Sequence, residues 1–137
     1  MIVALDIEGL NALAGPDSSR KRQVRRALEA ASRSGRDVLV PTLVLAESYR
    51  GAARTQAIDS LLARHRPAIE TRDTDRTLAR FVGAVLHAAE AGSADIVDAH
   101  VVAVTAEAGG GLVLTGDPSD LERLAAPYRS AVIEPLR

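Results

Sequence analysis

The chain has no cysteine. Disulfides, thiolate metal sites and cysteine nucleophiles are therefore excluded. Aromatic residues make up only 2% of it, as Tyr49, Phe81 and Tyr128. A core must then be built from Ala, Val, Leu and Ile, and these rings are too few and scattered for a base-stacking platform. Lys21 is the only lysine, which removes mechanisms that need a lysine late in the chain. No apolar run approaches the length of a membrane span. Asp6 and Glu8 interrupt the first apolar run at once, so the N-terminus does not read as a signal peptide. A soluble cytoplasmic protein is expected. No charge dominates either: the formal net charge is −1, which alone predicts no polyanionic partner. The distribution is less even, because Arg20, Lys21, Arg22, Arg25, Arg26, Arg33 and Arg36 cluster in one stretch.

What is present suits a packed domain. The 137 residues are 47% hydrophobic, enough for a single domain over 1–137 with one core. Residues 2–5 read as a short buried strand. A short helix follows through Leu10 and Leu13 and is broken by Gly15-Pro16. Asp17 or Ser18 caps a helix to about Ser34, with Val24, Leu28 and Ala31 as its apolar stripe and arginines on the other faces. Val38-Leu39-Val40 is a second strand stopped by Pro41. Thr42 is the expected cap of a helix carrying Glu47. Further helices are expected over about Thr55–Arg64, from Asp73 to Gly92, from Ser93 or Asp95 to Gly109, and from Asp117-Pro118 onward. Strands are expected at 67–71, 112–115 and 131–134. Unpatterned apolar strands alternating with helices imply a mainly parallel sheet covered on both faces, a three-layer α/β/α architecture.

Four apolar segments each run into a carboxylate. Met1–Leu5 ends at Asp6, Leu43–Ala46 ends at Glu47, Ile96-Val97 leads to Asp98, and Leu112–Leu114 runs through Thr115-Gly116 to Asp117. Ionised carboxylates resist desolvation, so such placements are costly. Each has a plain structural alternative. Asp6 fits a helix cap, and Glu47 fits a salt bridge to Arg50. Asp98 fits a first-turn acid favoured by the helix dipole, and Asp117 before Pro118 fits a standard cap. Four along one chain suggest a common destination. In open α/β sheets ligands bind beyond the carboxyl ends of the strands, and there the four can converge. Several carboxylates share a pocket only if protons or cations offset their repulsion, and an all-oxygen set suits Mg²⁺ or Mn²⁺.

Leu5-Asp6, Pro41-Thr42 through Ala46-Glu47, Asp98-Ala99-His100-Val101-Val102-Ala103 and Leu114-Thr115-Gly116-Asp117 resemble the ordered acidic motifs of PIN domains. Within them the chain most resembles VapC-type toxins of bacterial toxin–antitoxin pairs, over its whole length. The resemblance implies a Mg²⁺- or Mn²⁺-dependent endoribonuclease with an RNA substrate, usually a homodimer, inhibited by a VapB-like antitoxin. It gives Asp6, Glu47, Asp98 and Asp117 the catalytic and metal positions. One departure is Glu8, where many relatives carry a small hydroxyl residue two positions after the first Asp. Glu8 either adds a carboxylate near the metal or points away as a first-turn acid. Asp95 stands between cap and supporting acid, and Asp120 between first-turn acid and peripheral ligand.

Other features are less specific. His65, His87 and His100 lack metal-ligand spacing, and His100 reads as a surface or core residue that can at most help position substrate. Arg50 and Arg54 flank the Glu47 helix as candidate phosphate contacts. Gly109-Gly110-Gly111 lacks the lysine and the strand-to-helix placement of a nucleotide loop. A phosphoaspartate hydrolase or a receiver domain would need a later lysine, and none follows Lys21. The remaining alternatives are a stand-alone RNA-processing PIN nuclease and a non-catalytic PIN-like module that binds RNA or protein.

Overall fold

Ile2–Leu5 is buried at every position and forms β1, the centre of the sheet, in a computed structural model that describes residues 1–137. The other strands are β2 (Asp37–Pro41), β3 (Ile69–Arg72), β4 (Gly111–Thr115) and β5 (Ala131–Pro135). All pairings are parallel, in the order β3-β2-β1-β4-β5. A strand buried on both faces needs apolar side chains at successive positions, and the Ile-Val-Ala-Leu run of β1 supplies them.

The helices are α1 (Ile7–Ala14), α2 (Ser19–Arg33), α3 (Thr42–Ser48), α4 (Ala52–Arg64), α5 (Arg76–Ala88), α6 (Ile96–Glu107) and α7 (Pro118–Ala125), with a 3₁₀ turn at Ser93–Asp95. α1 and α2 pack on β1, β2 and β4, while α6 lies across β1, β2, β4 and β5 and is flanked by α5 and α7. Helices thus cover both faces of the α/β sheet. α6 is buried without a break from Ala99 to Thr105. A helix apolar all round belongs in a core, and its Ala and Val side chains let neighbours approach closely.

Local boundaries differ from the sequence reading for identifiable reasons. Of the two caps open for α2, Ser18 is the one used, accepting from the Lys21 amide at 3.0 Å. Thr42 is the first helical residue of α3, and Pro41 holds the cap position without a side-chain bond. The Thr42 hydroxyl instead donates to the Arg72 carbonyl at 3.4 Å. Asp75 rather than Asp73 caps α5, accepting from the Leu78 amide at 2.8 Å. Arg72 holds Asp75 in place at 3.2 Å and reaches Glu107 at 2.8 Å, tying β3 to α5 and α6. α4 starts at Ala52, earlier than expected, because Gly51 at φ 77° turns the chain into it.

The strand order reverses at β1, whose neighbours β2 and β4 lead away in opposite directions. A crevice at such a switch point, beyond the carboxyl ends of the strands, is where α/β sheets place ligands. Close packing of β1 on β4 requires glycine at the start of β4. A Cβ at Gly111 would run into the Ile2 backbone. Gly111→Ala is expected to destabilise the protein by about 1–3 kcal/mol, the usual range for overpacking, as a drop in the urea midpoint. An unchanged midpoint would show that the two strands are not pressed together there.

Candidate functional site

Asp6 follows the last residue of β1 and is 4% exposed. It caps α1, with Oδ1 accepting from the Gly9 amide at 2.9 Å. Burial raises its pKa. Hydrogen bonding by Thr115 and by the Gly9 and Glu8 amides opposes that rise, and the Glu47 charge adds to it. The capping role read from sequence is therefore real, and it does not exhaust the residue.

Asp98 stands in the first turn of α6, half buried. Its carboxyl is pushed up to about 6, first by burial and then by Asp6, Asp120, Glu47 and Asp95. That list shows which acids the fold brings together. Glu47 projects from α3 as an exposed side chain, near enough to bear on both Asp6 and Asp98. The salt bridge to Arg50 does not form. The Arg50 guanidinium donates instead to the Ala46 and Tyr49 carbonyls at 2.8 and 2.7 Å.

Asp117 lies further out, exposed at the start of α7 with Pro118 behind it. Its side chain makes no capping bond. Oδ1 accepts from the Ser119 hydroxyl at 3.2 Å, and its amide donates to the Thr115 hydroxyl at 3.0 Å. Its charge is felt by Glu8. Glu8 turns toward the site, where burial, Asp6 and Asp117 raise its pKa and Arg20 lowers it. Arg20 pairs with Glu8 at 3.5 Å. The pair lies over Gly116, where any Cβ would collide with the carboxylate and the guanidinium.

The tightest grouping differs in membership from the four sequence-derived acids. Asp95, Asp98 and Asp120 offer carboxylate oxygens all within 4.8 Å of one another. Arg123 binds Asp95 at 3.1 Å and reaches Asp120 at 3.7 Å. Sequence left Asp95 between cap and supporting acid and Asp120 between first-turn acid and peripheral ligand, outside the four principal positions. Spacing hinted at their part, since Asp95 lies three residues before Asp98 and Asp120 lies one turn after Asp117. The packing of α7 against α6 was the missing fact.

His100 is 3% exposed. Its Nδ1 donates to the Ile96 carbonyl at 2.7 Å, and Nε2 has no protein partner. It is a core residue, as one of the sequence readings held. His65 lies away from the acids, in a cleft with Arg25 and Arg66.

The donor set is therefore all oxygen, with no lysine near it. Arg20 and Arg123 are the arginines paired to its members. Carboxylates held at raised pKa values are an unneutralised charge that a hard divalent cation relieves. The residues fit Mg²⁺ or Mn²⁺ in kind.

The same crowding sets a pH dependence. An aspartate ordinarily titrates near 3.8, and Asp98 does so at about 6. Between those values the native state holds more protons than the unfolded chain. Stability from this group is therefore present below the lower value and lost as pH rises through the upper one. Asp6 and Glu8 are raised and act in the same direction. In EDTA, Asp98→Asn is expected to melt a few degrees above the parent near pH 7, with the advantage gone near pH 4. Equal melting temperatures near neutrality would mean that the carboxylates do not strain the fold.

Residues 10–127 match the PIN domain family. No functionally curated protein matches the sequence. Among solved structures, the chain is similar to one described as VapBC2 from Rickettsia felis bound to a DNA fragment from their promoter. That likeness has a TM-score of 0.68 at 17% identity and covers 100% of both chains. At this identity it speaks for the fold, which is the one built above from the strand order. With the family matched over most of its length and the acids at the sheet's switch point, the chain belongs to the PIN domain family.

Proposed function

We propose that this PIN domain, a single unit over residues 1–137, is a Mg²⁺- or Mn²⁺-dependent endoribonuclease acting as a VapC-type toxin under the control of a VapB-like antitoxin. The observation that carries the reading is the convergence of Asp6, Glu47 and Asp98 on one crowded site, where burial first and the neighbouring acids second push the Asp98 carboxyl up to about 6. Asp6, Glu47, Asp98 and Asp117 would hold the metal directly or through water, with Asp95 and Asp120 beside Asp98. When bound, a divalent cation acidifies water and stabilises charge developing on a phosphodiester. The chain's own residues prepare that site. The Gly9 amide and Thr115 fix the Asp6 carboxylate, Arg123 restrains Asp95 and Asp120, and Arg20 restrains Glu8 at the rim. With three scattered aromatic residues, recognition falls to backbone charge, shape and polar contacts.

The test is cleavage of total RNA in Mg²⁺, Mn²⁺ and EDTA. Cutting is expected only with metal. Asp6→Asn keeps a capping oxygen and should preserve the fold while lowering cleavage by roughly 100-fold or more. Undiminished cleavage in EDTA would remove the metal mechanism. Asp6→Asn of parental activity would remove Asp6 from the site.

A furrow between α1 and α4 suits the antitoxin. One part, of about 410 Å³, is lined by Leu13, Ala14, Ala57 and Leu61 among others, and the adjoining part includes Asn11 and Arg54. An antitoxin segment laid there would run beside the helix carrying Glu47 and cover the mouth of the site. A basic antitoxin side chain would meet several carboxylates in a partly desolvated setting, where pairing is strong. The toxin itself is expected to be a homodimer, readable by sedimentation. Arg54→Glu should weaken antitoxin binding by roughly 10-fold, about 1.4 kcal/mol, with an unchanged melting temperature. Hydrogen exchange in the complex should show protection within residues 47–66. Protection confined to residues 20–36 would place the inhibitory surface elsewhere.

A further inference from the structure

The arginines between residues 20 and 36 have no part in the site above, apart from Arg20. At 100° per residue, Arg22, Arg25, Arg26 and Arg33 fall within one stripe of α2 about 100° wide. That stripe faces away from the buried Val24, Leu28 and Ala31. All four arginines are exposed. Arg22 has an acid partner, the exposed Asp17 at 3.3 Å, while Arg25, Arg26 and Arg33 form no ion pair.

Two more arginines join them from another part of the chain. The end of α4 and the turn into β3 bring Arg64 and Arg66 beside α2. Arg25, Glu29, Arg64 and Arg66 line one polar cleft of about 380 Å³. Glu29, Arg33 and Arg66 line its continuation. Neither Arg64 nor Arg66 forms an ion pair, and Arg66 donates only to the His65 carbonyl at 2.8 Å. Four unpaired arginines, Arg25, Arg33, Arg64 and Arg66, therefore line these clefts with one acid, Glu29, and Arg26 lies on the adjoining stripe, on a protein whose net charge is −1.

We infer that the solvent face of α2, together with Arg64 and Arg66, is a second nucleic-acid surface, a track that binds the phosphate backbone of RNA outside the acidic site. The choice of RNA as occupant rests on the nuclease reading above. Three features favour it. The cations are all arginine, whose planar fork matches phosphate oxygens in pairs. From Arg22 to Arg33 the stripe runs roughly 16 Å along the helix, room for several successive phosphates. Its N-terminal end also lies near the site, because Arg20, on the first turn of the same helix, pairs with Glu8 at the acid rim, though that side chain leaves α2 about 160° around from Arg22. An anionic lipid surface would call for apolar side chains beside the arginines to enter the headgroup layer. The stripe and its clefts present Arg, Glu, Ser and His instead, with Pro67 the one exception. No Phe, Tyr or Trp lies on α2 or lines these clefts, so the track reads charge spacing and not base identity.

The test compares the parent with Arg25→Ala/Arg33→Ala/Arg66→Ala. Binding of a labelled single-stranded RNA of about 30 nucleotides is followed by anisotropy in EDTA across a salt series. The triple variant should bind about 10-fold or more weakly. Its slope of log affinity against log salt should be shallower by about 2, since each lost phosphate contact removes about 0.7. The matching Arg→Lys triple should recover most of the affinity, which a merely structural role would not predict. In Mg²⁺, the alanine triple should cut a long RNA more slowly but a short oligonucleotide at the parental rate. A folded triple variant with parental affinity and slope overturns the proposal. So does loss of binding to phosphatidylserine vesicles with RNA binding intact, which would assign the face to a membrane. If the parent cuts no RNA under any condition, the nuclease reading fails. The binding arm in EDTA still decides the surface.

Discussion

Burial of several carboxylates beside one another is the constraint around which this protein's site is built. Asp6, Glu47 and Asp98 come from three separate elements, and Asp95 and Asp120 crowd the last of them. No local interaction would gather them. What does is the sheet order, which turns at β1 and leaves an opening above its end, and the core that fixes that order. Thirty buried apolar residues form one connected cluster around β1 and α6. The apolar burial is large enough to hold these acids together and partly out of water, and first that burial, then their mutual repulsion, raises the pKa values of Asp6, Glu8 and Asp98. A site under such tension is poised for a cation, because binding relieves a repulsion already set up by folding.

The arginines divide accordingly. Arg20, Arg72 and Arg123 each take carboxylate partners and hold parts of the frame in register. Of those on the outer face of α2 and at the end of α4, only Arg22 takes one, the exposed Asp17. A net charge of −1 is thus the sum of an acidic opening and a basic flank. Such a molecule presents a field with direction, attracting a polyanion to one side while only Arg20 and Arg123 pair with acids at its own cation site.

Much of the fold was legible in the chain because it depends on local patterning. Residues 2–5 and 112–115 read as strands from the apolar runs Ile2–Leu5 and Leu112–Leu114, and the apolar stripe of α2 marked its buried face. Boundaries were less legible, because caps compete. Asp73 and Asp75 are equivalent by type, and only Arg72, placed by β3, selects Asp75. The acids were visible one at a time, each at the end of an apolar segment. Their grouping was not, because it requires knowing that α7 packs on α6 and that Arg20 reaches Glu8 across Gly116. A glycine forced by two side chains from distant segments leaves no mark in sequence spacing.

Asp6 shows why choosing between a structural and a chemical role can mislead. Its Oδ1 is committed to the Gly9 amide, which starts α1 and so fixes the helix that packs on β4. The same bond fixes the carboxylate's orientation, and a ligand is useful only when its orientation is fixed before binding. The cap and the site are therefore one arrangement. Asparagine preserves the cap and loses the charge, whereas alanine loses both. The difference between these two substitutions separates what the residue does for the helix from what it does for a cation. Burial ties the roles together: the β1 end is deep enough to raise the Asp6 pKa, and the amide and hydroxyl groups around it keep that rise in check. Removing those donors would leave a buried charge with neither partner nor solvent, so the hydrogen bonds that build the helix are also what make an acid tolerable there.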